Sequence, residues 1–190
     1  MSTPAPPPSA CVAFGALLWL LVAFAAGAAG VLRSARPPMP QLVIGVLTAA
    51  LLVLFWTPSP VRRWALQVDV RRLVLIHVTR LVAGGYFLIL YGRGELPYAF
   101  AVPGGWGDIA VAVTALAVCW PGRSRNALLA WNVFGTVDIL LVVATAARLG
   151  MADPESMRAL LRLPLSLLPT FLVPIIIATH VIIFARLGRR

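Results

Sequence analysis

The sequence predicts an all-α fold, a polytopic membrane helix bundle of about six transmembrane helices. Hydrophobic residues make up 61% of the 190-residue chain and charged residues 12%, whereas soluble domains carry roughly 25% charged residues. The apolar residues form long runs of roughly 20, the length of a bilayer-spanning helix, and most charges lie between the runs. Six such runs leave no room for a separate soluble domain.

The predicted elements follow the breaks between these runs. Residues 1–10 carry four Pro and no charge, which predicts a disordered N-terminal tail. Residues 11–187 form one transmembrane domain, and residues 188–190 form its basic C-terminal end. The six spans are predicted at residues 11–32, 41–57, 73–91, 103–120, 127–149 and 165–185.

The loops support this division. Proline ends or interrupts helices because it lacks a backbone donor, and it occurs after the first and second spans and again after the fourth. Residues 61–72 place apolar side chains at helical spacing opposite arginines, which predicts either a short helix lying along the membrane interface or a charged loop.

The connection between spans three and four, residues 92–107, is long, aromatic and glycine-rich. The apolar run after Asp108 reaches only to Trp120, about 18 Å of helix, which is short of the roughly 30 Å hydrocarbon core. Part of the connection must therefore enter the membrane, and a re-entrant lid containing Gly105 and Gly107 is one interpretation. In the other, Asp108 is the N-cap of span four.

The basic charge predicts membrane contact and excludes nucleic acid as a partner. The net charge of +10 comes from sixteen arginines, which lie in small groups beside apolar segments and would anchor helix ends at lipid headgroups. Nine would lie on one side and six on the other, which predicts a bacterial inner (plasma) membrane protein with both termini cytoplasmic. Two cysteines exclude a disulfide framework.

Two charged residues lie deep inside the apolar runs, Arg80 in span three and Asp138 in span five. A charge at membrane depth costs at least about 2.5–3.5 kcal/mol, so it needs a partner or a polar cavity. At 1.5 Å per residue, these two residues and His77, Asn132 and His180 fall within roughly 10 Å in depth. We therefore predict one buried polar site, which is either a structural ion pair or a pocket for a small solute or a proton.

The two histidines suggest a sharper alternative. His77 and His180 lie at matching depth on different spans, as two axial ligands of a b-type haem would, and Arg80 could pair with a propionate. No other cofactor is predicted, and zinc lacks an adequate ligand set.

Several strings resemble a recurrent group of uncharacterised bacterial multi-pass membrane proteins without an assigned activity. The resemblance covers about residues 77–180 and rests on Gly94-Glu95-Leu96-Pro97, Gly105-Trp106-Gly107-Asp108, Asn132-x-x-Gly135-x-x-Asp138, and residues 169–174 followed by His180. It implies a membrane protein and adds no chemistry.

Three classes of function follow from the buried polar site. Small-solute or proton-linked transport is favoured slightly over an accessory or structural subunit of a membrane complex, which would bind a homo-oligomeric or other membrane partner. A b-type haem protein is the third class. An enzyme is the least supported, because no nucleophile–base pair or metal set is readable.

Overall fold

The computed structural model describes residues 8–120 and 122–188. Residues 1–7 of the predicted tail, and Arg189 and Arg190 of the predicted basic end, lie outside the described residues. Residues 8–10, which we expected in the tail, belong to the first helix.

The described residues confirm the predicted all-α fold, because they form eight α-helices and no strand. The helices are α1 (Pro8–Ala28), α2 (Met39–Trp56), α3 (Pro60–Gln67), α4 (Val70–Ile76), α5 (Arg80–Gly92), α6 (Tyr98–Val118), α7 (Arg125–Ala152) and α8 (Val173–Leu187). A 3-10 turn, His77–Thr79, joins α4 to α5, a second 3-10 stretch follows α7 at Glu155–Leu161, and a π-helical turn, Leu168–Leu172, precedes α8.

Six stretches are long and apolar enough to cross a membrane. They are Ser9–Ala28, Met39–Trp56, Val70–Gly92, Tyr98–Val118, Arg125–Ala152 and Leu168–Leu187. Large apolar side chains on their outer faces are exposed, among them Phe14, Val82 and Trp106. An apolar exterior of this kind suggests a membrane location, because water would not solvate it favourably.

The fourth stretch corrects the expected connection. Residues 98–107 are helical and continue α6, so that only residues 93–97 connect it to α5. The 21 residues of α6 extend about 32 Å, which matches the hydrocarbon core without any re-entrant segment. Pro103 and the glycines beside it are weak helix formers in water, but here Gly105 lies against α5 while Gly104 and Gly107 lie against α7, and they make close packing possible.

The backbones of α5 and α6 approach each other closely in the bundle centre. A Cβ atom on Gly84 would lie 2.5 Å from the carbonyl oxygen of Gly105 and 2.9 Å from Cβ of Asp108. Only glycine allows the two backbones to approach in this way. From there α6 packs on α7, α7 on α8, and α8 on α2, while α1 contacts α3 and the π-helical turn.

Candidate functional site

Arg80 occupies the centre of the site, at the start of α5 and only 2% exposed. Its guanidinium donates from Nε to Oδ1 of Asp108 over 2.5 Å, from Nη2 to Oδ2 of Asp138, and from Nη1 to the carbonyl of Gly135 over 3.2 Å. The expected pair with Asp138 is therefore present, but a second carboxylate shares the same guanidinium. We call Arg80, Asp108 and Asp138 the ion triad.

Asp108 is the site residue that the sequence interpretation misplaced. It lies in the middle of α6 and caps no helix, because α6 begins ten residues earlier at Tyr98. The sequence carried a signal for this position, because the apolar run after Asp108 is too short to cross the membrane. Once residues 98–107 are counted as part of the helix, Asp108 lies at the middle of the span as a third charge.

Glycine positions both carboxylates of the triad. A Cβ atom on Gly107 would collide with the carboxylate of Asp138, and one on Gly84 would press on Asp108. Gly105 and Gly107, which we expected to belong to a lid, are thus packing residues that bring α6 against α5 and α7. The two carboxylates reach Arg80 because these three positions lack side chains.

The histidines form a separate, fully buried cluster close to the triad. The rings of His77 and His180 have their centroids 4.1 Å apart, and the Trp131 ring lies edge-on to His77 at 5.0 Å. His77 Nε2 is 3.1 Å from the hydroxyl of Thr179, and His180 Nδ1 is 2.8 Å from Oδ1 of Asn132. We call these five residues the histidine cluster.

Asn132 ties α7 to α8 through two bonds. Its Oδ1 lies 2.8 Å from Nδ1 of the His180 imidazole, and its Nδ2 donates to the His180 carbonyl over 3.1 Å. A buried amide that satisfies both its oxygen and its nitrogen in this way fixes the register of the two helices. Gly135, one turn further along α7, allows the approach, since a Cβ there would lie 2.6 Å from Cε1 of His180.

The haem interpretation does not fit this geometry. Axial ligands bind iron from opposite faces of the porphyrin, so a planar group must fit between the two rings. With centroids 4.1 Å apart, the rings of His77 and His180 are already near the contact distance of carbon atoms, about 3.5–4.0 Å.

An apolar cavity of about 100 Å³ reaches the triad from one end of the bundle. Arg80 and Asp108 lie at its inner end, and Pro37, Gly150 and Pro154 lie at its outer end. Its walls come from α2, α5, α7, the π-helical turn and α8, and they include Ile44, Phe87, Val143, Ala146, Leu172 and Ile176. The cavity therefore provides space for water-sized molecules between the bundle end and the ion triad.

Comparison with known proteins gives a family and no activity. Neither a curated protein nor a solved structure is significantly similar to the chain. A family model described as a domain of unknown function, DUF8737, matches residues 37–188. This range begins after α1 and includes the ion triad and the histidine cluster. The chain therefore belongs to the DUF8737 family, a domain of unknown function.

Proposed function

We propose that the protein is a multi-pass integral membrane protein of the bacterial inner membrane, and that its ion triad binds and releases a proton in proton-linked transport of a small solute. The observation that supports this proposal is the sharing of one guanidinium by two carboxylates, Asp108 and Asp138, in the middle of apolar helices.

The charge balance of the triad favours proton binding. Two ionised carboxylates against one guanidinium leave one uncompensated negative charge. An uncompensated charge in an apolar interior is strongly unfavourable, and a single proton shared by Asp108 and Asp138 removes it. A structural pair would need only one carboxylate, so the second one is the group that we assign to proton exchange.

The two sides of the triad differ in access. On one side, the cavity leads from Arg80 to the end of the bundle. On the other side lie the histidine cluster and a buried apolar cluster that includes Phe55, Leu73 and Ile183. A binding site that is open to one side and closed to the other is what alternating access requires of each of its states.

The proposed orientation places both termini in the cytoplasm and the cavity mouth outside. It follows from the arginine count, in which the cytoplasmic loops carry the larger number. Cysteine substitution at Gly94 and Ser124, which lie in opposite loops, tests it with a membrane-impermeant maleimide. Labelling of intact cells at Gly94 and not at Ser124 is expected, and the reverse pattern would invert the orientation.

A pH jump on proteoliposomes adsorbed to a solid-supported membrane tests the function before any solute is known. Proton binding to the triad moves charge within the protein, so the wild type should give a transient current. The change Asp108→Asn should abolish the current. Asp69→Asn is the matched control, because Asp69 caps α4 outside the triad and Asn is an equally good cap.

A current of unchanged size in Asp108→Asn would contradict the proposal. So would a wild-type protein without a current that copurifies with a membrane partner, which is the result expected for an accessory subunit.

A further inference from the structure

The two carboxylates of the ion triad line different spaces. Asp108 lines the apolar cavity together with Arg80, whereas Asp138 lines a separate groove of about 150 Å³ between α6 and α7. Phe100 and Val142 line both spaces and so form the wall between them. A molecule can therefore approach Asp138 from a side that the cavity does not serve.

The groove opens on the outside of the bundle, toward lipid. Its rim residues Ala99, Pro103 and Leu141 are exposed, and both helices are long and apolar enough to cross a membrane. The α7 wall runs from Asp138, in the middle of the helix, to Thr145, about 10 Å along the axis. Its volume matches the roughly 150 Å³ of a cavity that holds one benzene. The groove therefore has room for one small ring or a short alkyl group, and the rest of a ligand can project into the bilayer.

Hydrogen-bond acceptors line this groove. Asp138 bonds to Arg80 through Oδ2, while its Oδ1 accepts no hydrogen bond among the described residues and its side chain is 14% exposed. Pro103 lies inside α6 and lacks a backbone N–H, so the carbonyl of Ala99 does not receive the usual helical hydrogen bond. A carboxylate oxygen and a backbone carbonyl both favour a ligand that carries hydrogen-bond donors.

The charges around Asp138 favour a cation. The groups that face it are Arg80 on α5 and Asp108 on α6, and α8 contributes the imidazole of His180, which lies against Gly135 one turn away on α7. With both carboxylates ionised, the triad has one uncompensated negative charge. A monovalent cation at Asp138 removes that charge as a proton does, so the two should exclude each other.

We infer that the groove binds a lipophilic ammonium cation, with the ammonium group at Asp138 and the hydrocarbon part in the groove and the adjoining lipid. The inference rests on the proposed function and names its class of solute, because the cation takes the place of the proton that the triad otherwise holds. When the cation binds the protonated triad, one proton leaves to water in the cavity and the charge of the site stays the same. This exchange is the step that couples such a solute to the proton.

Photolabelling at fixed pH tests the inference. The full chain in nanodiscs is irradiated with benzylamine that carries a diazirine on its ring, and crosslinks should map to the groove around Pro103 and Leu141. Unlabelled benzylammonium should compete at least about tenfold better than benzyl alcohol at equal concentrations in the lipid, which is about 1.4 kcal/mol. Benzyl alcohol has nearly the same shape but forms no charge-assisted hydrogen bond.

Two pairs of variants separate the groove from general lipid contact. Asp138→Asn should reduce competition by benzylammonium to the level of benzyl alcohol, whereas Glu95→Gln, an exposed carboxylate near the start of α6 and outside the groove, should not. Thr145→Phe should abolish the groove crosslinks, because helical side chains lean toward the N-terminus of their helix and the ring would extend toward Asp138. Ala144→Phe, at the neighbouring exposed position, should leave them unchanged.

Crosslinks spread over exposed helix faces, or equal competition by benzylammonium in Asp138→Asn and the wild type, would overturn the inference. If Asp138→Asn fails to fold, Thr145→Phe decides, and unchanged crosslinks in that variant also overturn it. A pH-indicating dye in weak buffer should report about one proton released for each benzylammonium bound. Labelling of the groove without release would contradict the shared proton of the proposed function and leave the cation site standing, whereas failed labelling leaves the pH-jump result standing.

Discussion

Within the ion triad, removal of the arginine should destabilise the protein more than removal of one carboxylate. Removing Arg80 by Arg80→Gln leaves the one ionised carboxylate of Asp108 and Asp138 without a counter-ion in the interior, which should cost about 3–5 kcal/mol, the usual loss when one partner of a buried pair is removed. Removing one carboxylate by Asp138→Asn leaves Arg80 paired with Asp108, so that the remaining pair is neutral. The cost is then only the difference between a charge-assisted and a neutral hydrogen bond, about 1–1.5 kcal/mol.

Reversible unfolding in mixed micelles with sodium dodecyl sulfate measures these differences. Arg158→Gln is a matched control, because it removes an arginine from an ion pair of the same type that is 53% exposed on the arginine side, where the expected loss is at most about 1 kcal/mol. An equal loss of unfolding free energy in Asp138→Asn and Arg80→Gln would contradict this expectation. It would mean that Asp138 is the sole counter-ion and that Asp108 does not share the guanidinium.

Two further predictions concern the packing around the site, and the same unfolding measurement checks both. Gly84→Ala should lose about 1–3 kcal/mol of stability to overpacking, because its Cβ would lie 2.5 Å from the carbonyl oxygen of Gly105. The control Gly85→Ala places its Cβ in open space and should not destabilise the protein. Equal losses in the two variants would contradict the close approach of α5 and α6. Asn132→Leu should cost about 1–3 kcal/mol of stability, because it leaves the buried imidazole and carbonyl of His180 without this partner. The exposed Asn126→Leu should change stability little. An equal loss in both variants would contradict the role of the Asn132 bonds.

The fold could be predicted because hydropathy and span length are strong signals. The helices that cross the bundle are long runs of apolar residues, and arginines and prolines mark their ends. The error at residues 98–107 has a physical cause. Pro103 and Gly105 are poor helix formers by local propensity, but the segment packs against α5 and α7, and a bilayer favours helix because backbone groups must be bonded within the span.

The site could be predicted in part. The depth of a residue in the membrane can be calculated from its position along a helix, but the rotation of that helix about its own axis cannot. Arg80 and Asp138 were expected at one level, and the structure brings them together. The same calculation placed His77 and His180 at one level without showing whether their rings touch or face each other across a gap. The observed spacing of the two rings leaves no room for a haem between them, and ring spacing depends on side-chain packing that no spacing rule predicts.

If the ion triad holds one exchangeable proton, infrared difference spectroscopy of the protein during a pH change should detect it. A protonated carboxylic acid has a C=O stretching band that a carboxylate lacks, and isotopic labelling of aspartate assigns it. We expect this band in the wild type at neutral pH and its loss in both Asp108→Asn and Asp138→Asn, because a single remaining carboxylate is balanced by Arg80. A wild type without the band, or a band unchanged in both variants, would contradict it.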